Sequence, residues 1–321
     1  MKDLSLLTRR SMLALGAVPF FAKASTWPDR PIKLVVAATA GTQPDIFARI
    51  YADQLAAALK VPVVVDNRSG AAGNIGADAA AKSAPDGYTF LYAIANVTTM
   101  NQFLYTSITF DPRKDLVPVA EAVNTTTMLL ASNNVGANTV AEAIDLARSR
   151  KGELVYGSYG VGGYPHLVFV QLLQKAGVDM LHVPYRTGAM NDLITGRIQF
   201  LLEPTATAIP QIRAGKVKAL AHSGSRRHPE FPNLPTITET VPGVVLEGWH
   251  GFYAPAGTPA AIIEKVSAEI NRINELPEVK ERLVGRSGTP VASSPKQMAA
   301  RIEKESKDWE ALIRANNIKV E

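Results

Sequence analysis

Apolar, β-branched runs alternate along the chain with segments whose apolar residues recur every three or four positions, the pattern of strands feeding helices in a mostly parallel sheet. Ile32–Ala37 reads as a strand. Phe47, Tyr51, Leu55 and Leu59 then recur at a spacing of four, laying an apolar stripe on a helix that Asp45 is placed to cap. Val61–Val65 and Tyr88–Ala93 are the next strands predicted, separated by the loop Asn67-Arg68-Ser69-Gly70-Ala71-Ala72-Gly73-Asn74 and an alanine-rich helix over Ile75–Ser83. A second series starts near Met128, with helix Val140–Ser149, strand Val155–Ser158, a helix from Pro165, strand Met180–Val183, short helix Asn191–Thr195 and strand Ile198–Leu202. Ala206–Ala214 and Val217–Ala221 continue it. Beyond a loop rich in Pro, Arg and Ser, Trp249–Ala254 is apolar again. Two helices close the chain: Ala260–Leu276, with Thr258 as N-cap and Pro259 at the first helical position, and Pro295–Ala315. The expectation is an α/β protein in two halves, which suits 321 residues of which 46% are apolar.

The first residues break the pattern. TRRSMLALGAVPFFAKA carries Arg9-Arg10, an apolar run from Met12 to Phe21 and small residues at Ala22 and Ala24, the layout of an export signal over 1–24. The apolar run is about half the length a membrane span needs. Thr8-Arg9-Arg10-Ser11-Met12-Leu13 also resembles a twin-arginine signal. Removing the segment takes away four basic residues and one acidic one and lowers the net charge from +5 to +2. No cationic surface for nucleic acid is therefore implied. The absence of cysteine excludes disulfides, thiolate metal sites, a cysteine nucleophile and a lipid-modified N-terminal cysteine.

Two strand-to-helix loops hold the candidate chemistry. In YGSYGVGGYPHL, residues 156–167, Gly157, Gly160, Gly162 and Gly163 do not match the dinucleotide spacing, and the loop does not end Gly-Lys-Ser/Thr as a phosphate-cradling loop would. Ser158 has Gly160 after it but Tyr156 where a nucleophile elbow has glycine; a Ser158/His166 hydrolase remains an alternative. The loop otherwise suits an anion held by backbone amides and a helix start at Pro165, or a plain turn. Ala38-Thr39-Ala40-Gly41-Thr42-Gln43-Pro44-Asp45, after the first strand, has the same layout, and neither loop contains Arg or Lys. Two such loops facing across a cleft would hold a carboxylate with neutral dipoles. The five histidines show no ligand spacing, so no metal is expected; His182 reads as a strand residue.

Several stretches in order, WPDRPIKLVV, VVVDNRSGAAGNIGADAAAKSAPDGYTFL, DLVPVA, YGSYGVGGYPHL, HVPYRTGAMNDLITGRIQF, AIPQIRAGKVKALAHSGSRRHPEFPNLPTITE and GWHGFYAPAGTP, resemble the periplasmic solute receptors of tripartite tricarboxylate transporters, the Bug family. The resemblance implies a two-domain periplasmic binding protein of type II-like fold that closes on a small organic acid, with domain I over 25–122 and 248–321 and domain II over 123–247. It implies crossings near Val119–Thr125 and Leu246–Tyr253, no cofactor and no catalysis, a monomer, and a membrane permease as partner. The soluble chain of a periplasmic ligand sensor would look the same. Carried over by residue, the implied ligand contacts are Ala40, Gly41, Thr42, Gln43, Asp45, Asn96, Thr98, Ser158, Gly160, Gly163, Tyr164, Pro165, His166, Arg186 and Glu203. Two departures stand out. Ala40-Gly41-Thr42-Gln43 replaces a Pro-Gly-Gly run, and Glu203-Pro204 stands where an aspartate is frequent, so that Gln43, Tyr164 and Arg186 become candidates for contacting the far end of the ligand. Gly163 is expected to occupy backbone geometry that only glycine tolerates.

Overall fold

The computed structural model describes residues 27–244 and 247–320. The export segment expected over 1–24 lies outside the described residues, as does Leu246 at the start of the second expected crossing. Among the described residues eleven strands form two sheets: β1 (Ile32–Val36), β2 (Val63–Asn67), β3 (Thr89–Ile94), β4 (Leu116–Thr125), β5 (Thr127–Ser132), β6 (Val155–Ser158), β7 (Leu181–Pro184), β8 (Phe200–Pro204), β9 (Val217–His222), β10 (Gly248–Pro255) and β11 (Gly288–Pro290). The first sheet runs β11-β4-β10-β3-β1-β2 and the second β7-β6-β8-β5-β9.

Neither sheet is mostly parallel, contrary to the expectation from periodicity. β1 lies parallel between β2 and β3, and β6 lies parallel between β7 and β8. The next strand in each sheet is reversed: β10 is antiparallel to β3 and β4, and β5 is antiparallel to β8 and β9. These are the strands by which the chain enters each sheet from the other one, so their direction is set by the crossing and not by a β-helix-β step. Aligned on this pattern, β2-β1-β3-β10-β4 and β7-β6-β8-β5-β9 have the same layout. β1 and β6 are equivalent, and so are the loops that follow them.

The apolar stripe on helix Gln43–Leu59 packs Phe47, Tyr51, Leu55 and Leu59 against β1, β3 and β10, with Ile263, Val266 and Ile270 of helix Ala260–Glu275 filling the same layer. Two helix starts differ from expectation. Thr42 takes the N-cap position in place of Asp45, and Pro259 is itself the N-cap, one place later than Thr258. The final helix, Pro295–Ala315, begins with the reciprocal Ser294–Gln297 capping box.

This last helix joins the two sheets' halves. Trp309, Leu312 and Ile313 share one apolar cluster with Met100 and Leu104 on one side and with Leu167, Val168 and Phe169 of helix Tyr164–Ala176 on the other. The Trp309 and Tyr164 rings meet edge to face at 6.2 Å. At the crossing itself, Arg301 binds Glu121 of β4 and Glu305, donates to Asn124 Oδ1 at 3.1 Å, and stands over the Trp249 ring at 5.1 Å. Asn124 and Ser225, one on each side of the crossing, both donate to the Glu247 carboxylate. No helix among the described residues is long and apolar enough to cross a membrane.

Candidate functional site

The loop after β1 is held from inside by one acid. Asp45 is 3% exposed; it accepts the Gly41 N–H at 2.8 Å and the Asn67 amide at 2.9 Å, and pairs with Arg49 at 3.0 Å. Burial alone would raise its carboxyl, but the Arg49, Gly41 and Asn67 donors outweigh it and hold the pKa below the ordinary value. The polar side chains of this loop also bond the protein's own backbone, at the surface. Thr42 Oγ1 donates to Thr39 O at 2.6 Å, and the Gln43 amide donates to Arg286 O at 2.8 Å. Gly41, at φ +82°, makes the bend. The N–H groups of Thr39 and Ala40, both exposed residues, take no acceptor from the described residues.

The loop after β6 is held from inside by neutral rings. Ser158 is fully buried; its Oγ donates to Gly160 O at 3.1 Å and meets His182 Nε2 at 2.7 Å. His166 accepts the Gly162 N–H on Nδ1 at 3.0 Å, and the two imidazoles stack at 4.0 Å beside Tyr156. Burial pulls both rings down to about 4, so both are neutral at pH 7. The Ser158/His166 pair that the alternative hydrolase reading requires is not formed, and no carboxylate among the described residues bonds either ring, so the orienting acid of a hydrolase triad is missing. Gly160 and Gly162 lie at φ +111° and +72°, while Gly163, at φ −64°, is the ordinary N-cap of the following helix; the requirement for glycine sits at the first two and not at Gly163. The N–H groups of Gly160 and Val161 take no acceptor from the described residues.

The β6 loop packs against the opposite half. A Cβ on Gly162 would stand 2.9 Å from Val320 and 3.0 Å from Leu104, both in the half that contains β1. Leu104 and Tyr105 in turn pair with Val320, whose N–H donates to Leu104 O at 2.9 Å. The segment after β3 thus reaches from Asn96 to the loop of the opposite half. Asn96 is buried beside Val97, and Val97 lies against Gly73.

The other residues carried over divide into those near the second loop and those elsewhere. Tyr185 N–H donates to Ser158 O at 2.8 Å, which sets Arg186, exposed and without an ion pair or hydrogen bond among the described residues, on the flank of that loop. Glu203, 5% exposed at the end of β8, accepts the Tyr159 and Thr207 hydroxyls. Burial raises its pKa against the pull of those two donors. Pro165 occupies the first turn of its helix, as expected. Tyr164, by contrast, turns toward Trp309 and the crossing. Thr98 bonds Tyr253 at 3.0 Å and lines a cavity of about 380 Å³ with Phe103, Leu116 and Ile302, behind β4 and away from the two loops.

One contributor has only an indirect signal in the sequence. Gly70, Ala71, Ala72 and Gly73 are four consecutive residues at positive φ (+124°, +46°, +50° and +95°), and two of them are alanines. Such backbone costs about 1 kcal/mol or more per non-glycine residue and is concentrated at functional places. A Cβ on Gly73 would stand 3.2 Å from Ala37 O, so this strained turn forms the wall beside the β1 loop. Asn101 braces it, donating to Ala72 O at 3.1 Å and Asn74 Oδ1 at 2.7 Å, while its own Oδ1 is buried without a partner among the described residues. The glycines of SGAAGN are visible in the sequence; the left-handed alanines between them are not. Among the described residues no group of acids and histidines is arranged to hold a metal ion.

Two α/β units of equal layout, linked by crossing strands and each carrying an equivalent strand-to-helix loop, define a two-domain periplasmic binding protein. The profile described as "Tripartite tricarboxylate transporter family receptor" matches residues 47–318, and the chain belongs to that family. It is 33% identical to a UPF0065 protein of Bordetella bronchiseptica over 98% of this chain and 93% of the relative, and 31% identical to protein BugT of Bordetella pertussis over 96% of each. Among solved structures it is similar to Rhodopseudomonas palustris Rpa4515 with adipate (TM-score 0.78, 32% identity, 90% of this chain and 97% of that one). It is also similar to MatC (Rpa3494) from Rhodopseudomonas palustris with bound malate (TM-score 0.74, 28% identity, 89% and 99%). The protein is a periplasmic solute-binding receptor and not an enzyme.

Proposed function

We propose that this receptor captures a small organic carboxylate between the β1 and β6 loops by closure of its two domains, and delivers it as a monomer to the membrane permease of a tripartite transporter. The clamp halves are 25–122 with 248–321, and 123–247. One observation carries the reading: each loop offers two consecutive N–H groups, Thr39-Ala40 and Gly160-Val161, that take no acceptor from the described residues. Amide donors fixed in place before the ligand arrives bind an anion without the cost of desolvating a cation. The adipate and malate named with two similar structures belong to the same chemical class.

Asp45, Ser158 and His166 serve in this reading as the internal supports of the clamp, with Ala40, Gly41, Gly160 and Gly163 supplying its backbone. Arg186 and Glu203 face the remainder of the ligand. The test is thermal unfolding against a broad panel of mono- and dicarboxylates. At a concentration about one hundredfold above Kd, a true ligand stabilises the folded state by about 2.7 kcal/mol. The expected result is a clear rise in Tm with at least one acid and none with the matching amide, and a flat response across the panel would refute the reading.

A further inference from the structure

We propose that the domain II wall of the clamp selects a carboxylate whose far end carries a hydrogen-bond donor, a hydroxyl or an amine, and rejects a second carboxylate; this rests on the clamp reading above. Three parallel strand ends set the geometry. β6 pairs Gly157 with Leu201 of β8, so Tyr159 and Glu203, each two residues further on, come level at the strand ends. On the other side β6 pairs Ser158 with Pro184 of β7, and the ladder continues with Tyr185, which places Arg186 at the opposite flank of Tyr159.

The donors on the Glu203 side are already spent. A tyrosine or threonine hydroxyl has one proton to give. Tyr159 gives its proton to Glu203 Oε2, and Thr207 gives its proton to Glu203 Oε1, with Pro204 O sharing it at 2.9 Å. What this group has left to offer is therefore oxygen lone pairs and a net negative charge. No cation among the described residues pairs with Glu203, so a second carboxylate placed here meets like charge with nothing to offset it. A hydroxyl or ammonium meets acceptors.

Arg186 and the free amides of Gly160 and Val161 supply the complementary end. Between the two poles, Tyr159 and Val161 are 38% and 42% exposed, large apolar side chains bared on a loop that touches the opposite domain. They suit a hydrocarbon spacer. The wall thus reads as positive, apolar, then negative, and its complement is an ω-hydroxy or ω-amino carboxylate.

Calorimetric titration of the full chain with α,ω-diacids, ω-hydroxy acids, ω-amino acids and plain monoacids of matched length, from propanoate to octanoate, tests this. At the best-fitting length the hydroxy or amino acid is expected to bind at least about tenfold more tightly than the diacid, the worth of one hydrogen bond to a charged group. Glu203→Gln, which removes the charge and can donate, should close most of that gap. Arg186→Gln, on the surface, should weaken all carboxylates alike and leave the ratio unchanged. A diacid that binds as tightly as its hydroxy counterpart in the wild type overturns the inference and leaves the clamp reading standing, as does a ratio that collapses in Arg186→Gln. Failure of every acid to bind removes the clamp reading and this inference with it. If Glu203→Gln does not fold, the wild-type ratio decides.

Discussion

The two loops proposed as the clamp occupy equivalent places in equivalent sheets, yet they are braced by opposite chemistry. The β1 loop closes around an ionised acid, Asp45, with Arg49, Asn67 and the Gly41 N–H converging on it. The β6 loop closes around two neutral imidazoles, with His166 accepting the Gly162 N–H and His182 against Ser158. In both, a side chain takes up one loop amide while neighbouring amides take no acceptor from the described residues. The lesson is that the backbone shape is the shared requirement, and any buried acceptor that stays in one protonation state at neutral pH can satisfy it.

Acid separates the two braces most strongly. A histidine with a pKa of about 4 when folded and about 6.5 when unfolded binds fewer protons in the folded state across that window. Its contribution to stability is complete above about pH 6.5, is lost as the pH falls toward about 4, and is flat below. Asp45 has a depressed pKa and behaves otherwise: its contribution persists through that window and is lost only below the ordinary aspartate value. Hydrogen exchange followed between about pH 7 and about pH 4.5 should therefore show the Gly162 amide losing protection while the Gly41 amide keeps it. Equal loss at both amides would mean that the loops do not open independently.

Removing a brace comes next in size. Asp45→Ala leaves the Gly41 N–H and the Asn67 amide without their acceptor and is expected to cost about 3 kcal/mol in chemical unfolding, since Arg49 is half exposed and finds water. His166→Leu removes one acceptor from one amide and is expected to cost about 2 kcal/mol. Reversal of that order would show that the acid's ion pair contributes less than its hydrogen bonds suggest. Smaller still is the glycine contrast. Gly162→Val combines a left-handed backbone with a Cβ 2.9 Å from Val320, so about 2 kcal/mol and a clear loss of ligand affinity are expected. Gly163→Ala, at an ordinary φ and with its Cβ 3.3 Å from Gly160 O and 3.5 Å from Tyr159 O, should cost under about 1 kcal/mol and bind almost normally.

What the sequence makes legible follows from which interactions are local. The strand β1 and the stripe Phe47, Tyr51, Leu55 and Leu59 are local patterns, and both form. The direction of β5 and β10 is decided by how the chain crosses between sheets, which no local period records. Ser158 finds its imidazole at His182, far along the chain on β7, and not at the nearer His166, because β6 and β7 are neighbours in the sheet. Asp45 belongs to the first loop's helix start, as its position implies, but its acceptor role there is to Gly41, behind the helix end it was expected to cap. Alanine seldom signals left-handed backbone, so the turn at Ala71 and Ala72 can be seen only in three dimensions.

The edge-to-face contact of Tyr164 with Trp309 has a practical meaning for measurement. The chain has three tryptophans, and this one sits on the first half of the molecule with its aromatic partner on the second. The closure proposed above would alter the packing and polarity around that indole, so emission excited in the near ultraviolet would serve as a built-in optical gauge of it. Titrating a ligand then needs no added dye, and Trp309→Phe identifies which part of the signal comes from the hinge side.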